Sequence, residues 1–350
     1  MNGEIISGLI FNVAVLFVMM IPGIVLKKCN LVPDGFGKGI SNLVLYVAQP
    51  LLIVCAYISC ESRFADIWVN VLVVFILSVI AHVIFTVVAM PLFGKAEEGK
   101  RRMLRFATIF ANAAFMGIPL IDVVCGAECA IYASIYNITF NLFLWTLGVY
   151  LCTRRDGEDM DGDGDSDMTD ELIAAHRATK KELSLVKVLL HPVTIASVLG
   201  VILLASGANN AVAEELAKES PNVIVALIVD CLVMIKGLVA PLSMVVIGLR
   251  LADVNFRGFF NDVHMYVFLA LRHLVLPLAT LGVCKLLALV GVPISPEVMT
   301  VTMILAATPA ASSATMFAEK YDCDAVYVSR LVVVSTILCI LTIPLVMMLV

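Results

Sequence analysis

Charged residues are scarce in this chain, and the motifs of soluble enzymes do not occur. Asp, Glu, Lys and Arg make up 15% of the 350 residues, whereas apolar residues make up 61% and the mean hydropathy is +1.02. A soluble protein of this length cannot bury so much apolar surface, so lipid must cover it. The sequence has no phosphate-binding glycine loop, no His-Glu-x-x-His and no nucleophile elbow. We therefore expect a polytopic membrane protein that is not an enzyme and uses no cofactor or metal.

The net charge of −5 comes from one segment. Residues 154–171 hold two arginines and nine acidic residues, so the rest of the chain is slightly basic. Nothing in this balance favours a nucleic-acid partner. The ten cysteines are scattered through apolar runs, which is typical of small buried thiols. Cys125 and Cys129 lie close in sequence but have no third ligand nearby, which argues against a metal site.

The apolar runs predict ten membrane spans in two halves. Residues 1–152 form a first five-helix repeat, 153–183 an acidic linker and 184–350 a second repeat. An odd number of spans per half makes the second half enter the membrane from the opposite side, which predicts an inverted repeat. Prolines at corresponding places in each half support this duplication. The predicted spans are 5–26, 41–59, 67–92, 103–125, 129–152, 184–205, 236–251, 264–289, 296–317 and 326–349.

Basic residues fall almost entirely on one side of these spans. Seventeen lie in the loops of that side, with Arg250 counted among them, and only Arg63 and Lys218 lie on the other. The positive-inside rule then places both termini outside and the linker in the cytoplasm. We expect a multi-pass protein of the plasma (cytoplasmic) membrane, surrounded by its lipid bilayer.

Two predicted spans combine helix breakers with polar residues, which is typical of broken helices in transporters. In the fourth span Gly117 lets the backbone unwind, and Pro119 leaves the carbonyl of Phe115 without an N–H partner. In the ninth, Pro309 frees the carbonyl of Leu305 and hydroxyl residues follow. Half-helix N-termini meeting near the bilayer middle would suit a carboxylate or other small anion. The candidate residues are Asn112, Gly117, Pro119, Thr308, Pro309, Ser312 and Ser313.

The second and seventh spans resemble each other as Gln49-Pro50-Leu-Leu and Ala240-Pro241-Leu-Ser243. Gln49 and Ser243 are predicted either to face the same central cavity or to tie two helices together. We include both residues, with Pro50 and Pro241, among the candidates for substrate binding.

Ionisable residues inside spans are expensive and are expected to have a function or a partner. For Arg272 the sequence leaves three partners open: a substrate carboxylate, the lipid interface, or a neighbouring helix. Asp122, just beyond Pro119, and His82 in the third span are the candidates for coupling to sodium or protons. An acid at the end of a span and a histidine satisfied by a helix neighbour are the structural alternatives.

The linker contains the run Asp159-Met-Asp161-Gly-Asp163-Gly164-Asp165, which resembles a calcium-binding loop. Its twelfth position is Asp170 rather than the bidentate glutamate. An alternating Asp/Gly run also matches a flexible acidic linker, and this is the interpretation we favour.

The string Asn112-Ala-Ala-Phe-Met-Gly-Ile-Pro119-Leu resembles the fourth-helix signature of the auxin efflux carrier family. Pro309-Ala-Ala-Ser-Ser resembles its ninth-helix partner, and the run from Ala318-Glu-Lys-Tyr through Thr342-Ile-Pro-Leu is similar as well. That family includes plant auxin carriers and bacterial members described as malate or malonate permeases. The short linker departs from the long loop of many plant carriers and points to a prokaryotic-type member of the inner membrane.

The resemblance implies an all-α fold of ten helices in two inverted repeats, as in sodium/proton antiporters and bile-acid symporters. Helices 4 and 9 would cross at their prolines, with Asn112 as the crossover asparagine. Helices 1, 2, 6 and 7 would form a scaffold, often dimeric, against which helices 3–5 and 8–10 slide. We therefore expect a homodimeric, elevator-type transporter of a small organic anion. The alternatives are a cation/proton antiporter of the same fold and a membrane receptor that does not transport.

Overall fold

The computed structural model describes residues 3–33, 35–153, 190–218, 221–254 and 261–350, and its regular elements there are helices. The calcium-loop pattern at Asp159–Asp170 lies outside the described residues. The helices are α1 (Gly3–Val18), α2 (Ile21–Lys28), α3 (Phe36–Ile58), α4 (Phe64–Ala89), α5 (Glu98–Ile109), α6 (Ala113–Thr153), α7 (Pro192–Ala205), α8 (Ala208–Leu216), α9 (Val223–Lys236), α10 (Val239–Asp253), α11 (Val263–Leu289), α12 (Pro296–Ala307), α13 (Ser313–Lys320) and α14 (Ala325–Met347).

The described helices make an all-α polytopic membrane protein. Seven segments are long and apolar enough to cross a membrane, or eight if α7 and α8, bent by 76°, count as one span. This number is below the ten predicted because the fourth and ninth predicted spans are interrupted. The fifth predicted span is continuous with part of the fourth in α6, a helix of 41 residues. At about 1.5 Å per residue α6 is roughly twice the thickness of the hydrocarbon core.

Gly126 interrupts this long helix. Its backbone has φ 82° and ψ −173°, a conformation that residues with a Cβ rarely adopt. The helix therefore changes course at Gly126, between the fourth and fifth predicted spans. Polar side chains hold the segment just beyond it. The Tyr132 hydroxyl donates to Glu128 Oε1 at 2.6 Å and accepts from Asn70 Nδ2 at 3.1 Å, which ties α6 to α4.

Three of the prolines follow wide helical turns rather than breaks. Turns of π-helix at Val44–Ala48, Ala113–Gly117 and Leu271–Val275 come directly before the turns that contain Pro50, Pro119 and Pro277. In each turn a backbone N–H bonds to the carbonyl five residues earlier. The wider turn accommodates a residue that has no N–H of its own. The sequence prediction that Pro119 breaks its helix was therefore wrong, and Pro50 likewise lies within a continuous helix.

Close contacts between backbones join α2 to α10. A Cβ on Gly23 would lie 2.2 Å from the carbonyl oxygen of Val245, and a Cβ on Gly248 would lie 2.1 Å from that of Met20. The two backbones touch, as small residues allow in membrane helix pairs. Other large contacts are those of α3 with α7 and α9, of α4 with α6, and of α6 with α12. Helix α9 has no buried residue, so its apolar surface is left for lipid.

Candidate functional site

The two interrupted helices meet at a short antiparallel bridge in the interior. Between α5 and α6 the chain is non-helical at Phe110–Asn112, and between α12 and α13 it is non-helical at Thr308–Ser312. Asn112 N–H donates to the Pro309 carbonyl at 2.8 Å, and Ala311 N–H donates to the Phe110 carbonyl at 2.8 Å. Ala111 and Ala310 are paired between these bonds. Four helix ends therefore converge on one point, which we call the crossing.

Pro309 lies within the crossing, but Pro119 does not. The Asn112 carbonyl already accepts from the N–H groups of Met116 and Gly117, at 3.2 and 3.0 Å, so α6 has begun before Pro119 is reached. The expectation that the helices cross at both prolines is thus corrected to a crossing at Ala111 and Ala310. Gly117 packs closely against α12, since a Cβ there would lie 2.5 Å from the Leu305 side chain.

Side chains at the crossing divide into those with partners and those without. Asn112 Nδ2 donates to Ser312 Oγ at 3.2 Å, and both residues are buried. The Thr308 hydroxyl donates to the Leu305 carbonyl at 2.8 Å, which replaces the N–H that Pro309 lacks. Ser313 Oγ is buried and has no hydrogen-bond partner among the described residues. Asn112 and Ser312 thus join the two breaks, and Ser313 leaves a hydroxyl available.

Arg272 holds the carbonyl ends of both half-helices. Its side chain is 0% exposed, and its guanidinium donates four hydrogen bonds of 2.9–3.1 Å to the carbonyls of Thr108, Ala306 and Thr308. These carbonyls end α5 and α12, where helix dipoles favour a cation and backbone acceptors lack intrahelical donors. Of the partners that the sequence left open for Arg272, the structure shows the neighbouring helices.

His273, next to Arg272, supports the same break from another direction. Its ring nitrogens lie 2.9 Å from Ser335 Oγ and 2.9 Å from Thr342 Oγ1, both on α14. Ser335 Oγ in turn accepts from Ala310 N–H at 3.0 Å. In the sequence His273 is the residue that follows Arg272. His273 supports Ala310 through Ser335 of α14. The sequence alone does not show that α14 packs beside His273.

His82, the proton-coupling candidate, is buried and bonded within its own helix. Its Nδ1 lies 2.7 Å from the Ser78 carbonyl, and its ring centroid lies 5.1 Å from that of Phe143 and 5.4 Å from that of Tyr136. This is an aromatic pocket beside the crossing and not a part of it.

Helices α3 and α10 bring further polar groups to the start of α6. Gln49 Nε2 donates to the Ala114 carbonyl at 2.8 Å, whereas Gln49 Oε1 is buried without a partner among the described residues. Ser243 Oγ is likewise buried and unpartnered, and its helix packs on the turn Ala113–Gly117. Pro50 and Pro241 lie next to these residues in the same helices. Buried polar atoms normally find a partner, so Gln49, Ser243 and Ser313 together present unused hydrogen-bonding capacity.

Asp122, the other coupling candidate, forms an ion pair. Its Oδ1 lies 2.8 Å from Lys236 Nζ, and the side chains are 11% and 24% exposed. The pair connects α6 to the last turn of α9. Lys236 is the first residue of the predicted span 236–251, and nothing in the sequence indicates its partner. Within the part of the chain that the structure describes, no three His, Cys, Asp or Glu side chains are grouped to hold a metal.

A cavity of about 790 Å³ leads towards the crossing between α2, α3 and α10 on one side and α13 and α14 on the other. We call it the vestibule. Among its described lining residues Lys27, Lys38, Arg250, Lys320 and Arg330 are basic, whereas Asp253 and Glu319 are acidic. Lys27 Nζ lies 3.5 Å from Asp253 Oδ1, so one of the two acids is already paired. The vestibule is therefore a basic passage.

Arg250 stands where the vestibule reaches the crossing. The half-buried Arg250 Nη1 donates to the carbonyl of Ser312, whose hydroxyl accepts from Asn112. Sequence reasoning counted Arg250 as a loop residue, but it lies in the last turn of α10. Its spacing of seven residues from Ser243 puts both on one helix face, and this is the signal that could have found it.

Comparison with known protein families gives a match over most of the chain. A family model described as a membrane transport protein matches residues 9–347, which includes the crossing, the vestibule and both halves. No curated protein matches the chain.

Proposed function

The chain belongs to the auxin efflux carrier family of membrane transport proteins, and on this premise we propose that it is a secondary transporter of a small organic anion, a mono- or dicarboxylate. The substrate binds at the crossing. The residues proposed to contact it are Asn112, Ser312, Ser313, Gln49 and Ser243, together with backbone N–H groups at the starts of α6 and α13.

The observation that carries this proposal is the chemistry of the crossing. Two helices begin there, and the first N–H groups of a helix favour anions. The buried hydroxyls of Ser243 and Ser313 lack partners among the described residues and can donate to an anion. The acid nearest in sequence, Asp122, is neutralised by Lys236. A site with backbone donors and hydroxyls, whose nearest acid in sequence is already paired, suits an anion better than a cation.

Transport follows an elevator mechanism in this proposal. The fourth span comprises α5 with the part of α6 before Gly126, the fifth is the rest of α6, and the ninth comprises α12 and α13. This completes ten spans in two inverted repeats. Helices α4–α6 and α11–α14 slide against a scaffold of α1–α3 and α7–α10. The glycine contact of α2 with α10 supports a rigid scaffold, because backbones that touch resist rearrangement.

The proposed orientation follows the charge bias of the sequence. Both termini lie outside the plasma membrane, and the vestibule, with Lys27, Lys38 and Lys320, opens to the cytoplasm. The crossing is then reached from the inside, while the Asp122–Lys236 pair lies towards the outside. A homodimer formed through the scaffold completes the proposal.

Charge movement in proteoliposomes on a solid-supported membrane tests this function. We would apply malate, malonate and indole-3-acetate, with and without sodium and proton gradients. A current evoked by one of these anions and lost in Asn112→Ala is the expected result. Asn210→Ala in α8, which takes no part in the crossing, is the matched control and should keep the current. Currents that follow only sodium or pH jumps would contradict an anion carrier and support the cation/proton antiporter.

A further inference from the structure

We propose that Arg250 is a substrate-binding residue that recognises a second anionic group and so gives the transporter its preference for dicarboxylates. The inference rests on the proposed function, since it concerns the anion site at the crossing. It adds a residue that sequence reasoning assigned to a loop, and it specifies how two classes of acid would be told apart.

The position of Arg250 brings a cation to the edge of the anion site. Ser312 joins the two groups, because its carbonyl accepts from Arg250 while its hydroxyl accepts from Asn112. The guanidinium and the Asn112 amide thus contact the same residue from different helices, α10 and the start of α6. A small substrate with one carboxylate at the crossing can direct a second carboxylate towards Arg250.

The hydrogen bonding of Arg250 leaves capacity for such a ligand. A guanidinium carries five N–H donors in a planar fork. Among the described residues Arg250 makes its hydrogen bond to a single neutral carbonyl, that of Ser312. A carboxylate can accept two parallel bonds from the fork, and charge-assisted bonds are about twice as strong as neutral ones. The substrate carboxylate therefore displaces or joins the Ser312 carbonyl when it arrives through the vestibule.

The surroundings of Arg250 favour a doubly charged substrate. Arg250 lines the vestibule with the basic residues Lys38, Lys320 and Arg330, which outnumber the one acid that interacts with its charge, Glu319. Like charges gathered in one concave passage raise the local concentration of anions, and a dianion responds more strongly than a monoanion. Lysines supply a diffuse field of this kind, whereas the planar fork of arginine selects a carboxylate by geometry.

Succinate and butyrate provide a matched test, because both have four carbons and they differ by one carboxylate. We would measure half-saturating concentrations and maximal currents for both acids in proteoliposomes of the wild type, Arg250→Gln and Lys38→Gln. Wild type should prefer succinate. Arg250→Gln should lower the succinate-to-butyrate preference by about ten-fold or more, which is the size of one charge-assisted bond, while butyrate transport persists. Lys38→Gln removes the same charge from the vestibule without touching Ser312, and should lower the succinate-to-butyrate preference by much less than Arg250→Gln does, because only the diffuse field is reduced.

Each remaining outcome is decisive. A succinate-to-butyrate preference that is the same in wild type and Arg250→Gln would overturn the inference and leave the anion carrier standing. A wild type that moves neither acid, nor any of the other carboxylates, would overturn the proposed function itself. If Arg250→Gln does not fold, Arg250→Lys replaces it, because lysine keeps the charge but loses the fork. An unaltered preference in Arg250→Lys would also overturn the inference.

Discussion

Two arginines donate to the same stretch of backbone at the crossing, and they differ in how completely the protein surrounds them. Arg272 is 0% exposed and makes four hydrogen bonds to three carbonyls. Arg250 is half-buried, makes its bond to the Ser312 carbonyl and borders a cavity of about 790 Å³. A buried charge with all its partners inside the protein is a fixed part of the structure. Arg250 has one neutral hydrogen-bond partner and also interacts with the charge of Glu319. Because it borders a passage, it can exchange the Ser312 carbonyl for a ligand.

Removing the enclosed arginine should have the largest effect. Arg272→Ala leaves three buried carbonyls without donors and the ends of two helices without a cation. Each buried carbonyl left without a donor costs about 1–3 kcal/mol, and three lose their donor together, so we expect little folded protein. The measurement is the yield of monodisperse protein in detergent and its Tm. Arg63→Ala, an exposed arginine at the start of α4, is the control and should be near wild type. A stable Arg272→Ala variant with altered substrate preference would reverse the roles of the two arginines.

The sequence could predict that the fourth and ninth spans are interrupted, but not how the two interruptions are joined. Asn112 and Pro309 are unusual inside apolar runs. In a bilayer, a polar side chain or a freed backbone group must be satisfied within the protein, so such residues indicate a special structure. The hydrogen bond from the Asn112 N–H to the Pro309 carbonyl joins segments about 200 residues apart. It is made by backbone groups, so the side chains in the sequence give no sign of it. A proline, moreover, looks the same in sequence whether it follows a wide turn, as Pro119 does, or lies within a break, as Pro309 does.

The partners of Arg250 and Lys236 could not be predicted for a related reason. The positive-inside rule treats a basic residue near the end of a span as a topological marker, and it takes no account of what faces that residue. Only the packing of α10 on the crossing brings Arg250 to Ser312, and only the approach of α9 to α6 brings Lys236 to Asp122. Seven of the described helices are long and apolar enough to cross a membrane, against ten predicted spans. The numbers differ because the fourth and ninth predicted spans are interrupted, and because the helix continues through Gly126 from the fourth into the fifth.

The second prediction concerns the partly enclosed arginine. Arg250→Gln should keep its Tm close to wild type, with a loss of at most about 1 kcal/mol of stability. Only one hydrogen bond is affected, and the glutamine amide can still donate to the Ser312 carbonyl. The same variant should show the altered substrate preference argued above. Thermal unfolding of Arg250→Gln and Arg272→Gln, measured side by side in one detergent, gives the comparison directly. Equal destabilisation of the two variants would show that Arg250 is as structural as Arg272.

A third charge lies between these extremes. Asp122 and Lys236 form a pair in which both side chains keep some exposure, so their coupling should be smaller than that of a fully buried network. A double-mutant cycle with Asp122→Asn and Lys236→Gln should give a coupling energy of about 1 kcal/mol in thermal or chemical unfolding. Lys218→Gln, which pairs with Glu215 on the surface, is the matched control. Additive effects of Asp122→Asn and Lys236→Gln would show that the pair holds nothing together.

The smallest effect is expected for a carboxylate outside the spans. Partial burial alone would raise the pKa of Asp262, but hydrogen bonds from the Tyr327 hydroxyl at 2.7 Å and from the His264 backbone N–H at 2.9 Å outweigh it. The pKa of Asp262 is therefore held below its usual range in the folded protein. A lowered carboxyl pKa stabilises the folded state above the unfolded pKa of about 3.9, and this contribution disappears as the pH falls through the folded pKa.

Tyr327→Phe removes the hydroxyl donor and should cost at most about 1 kcal/mol at neutral pH. Since that cost depends on the ionised carboxylate, the difference in Tm between Tyr327→Phe and wild type should shrink as the pH is lowered from 7 towards 3. Tyr266→Phe, in the first part of α11, controls for the loss of a tyrosine hydroxyl. A Tm difference that stays constant with pH would mean that the hydroxyl acts by packing and not through Asp262. The degree to which the protein surrounds a charge would then account for the effects of the two arginines, but not for those of charges at the ends of the helices.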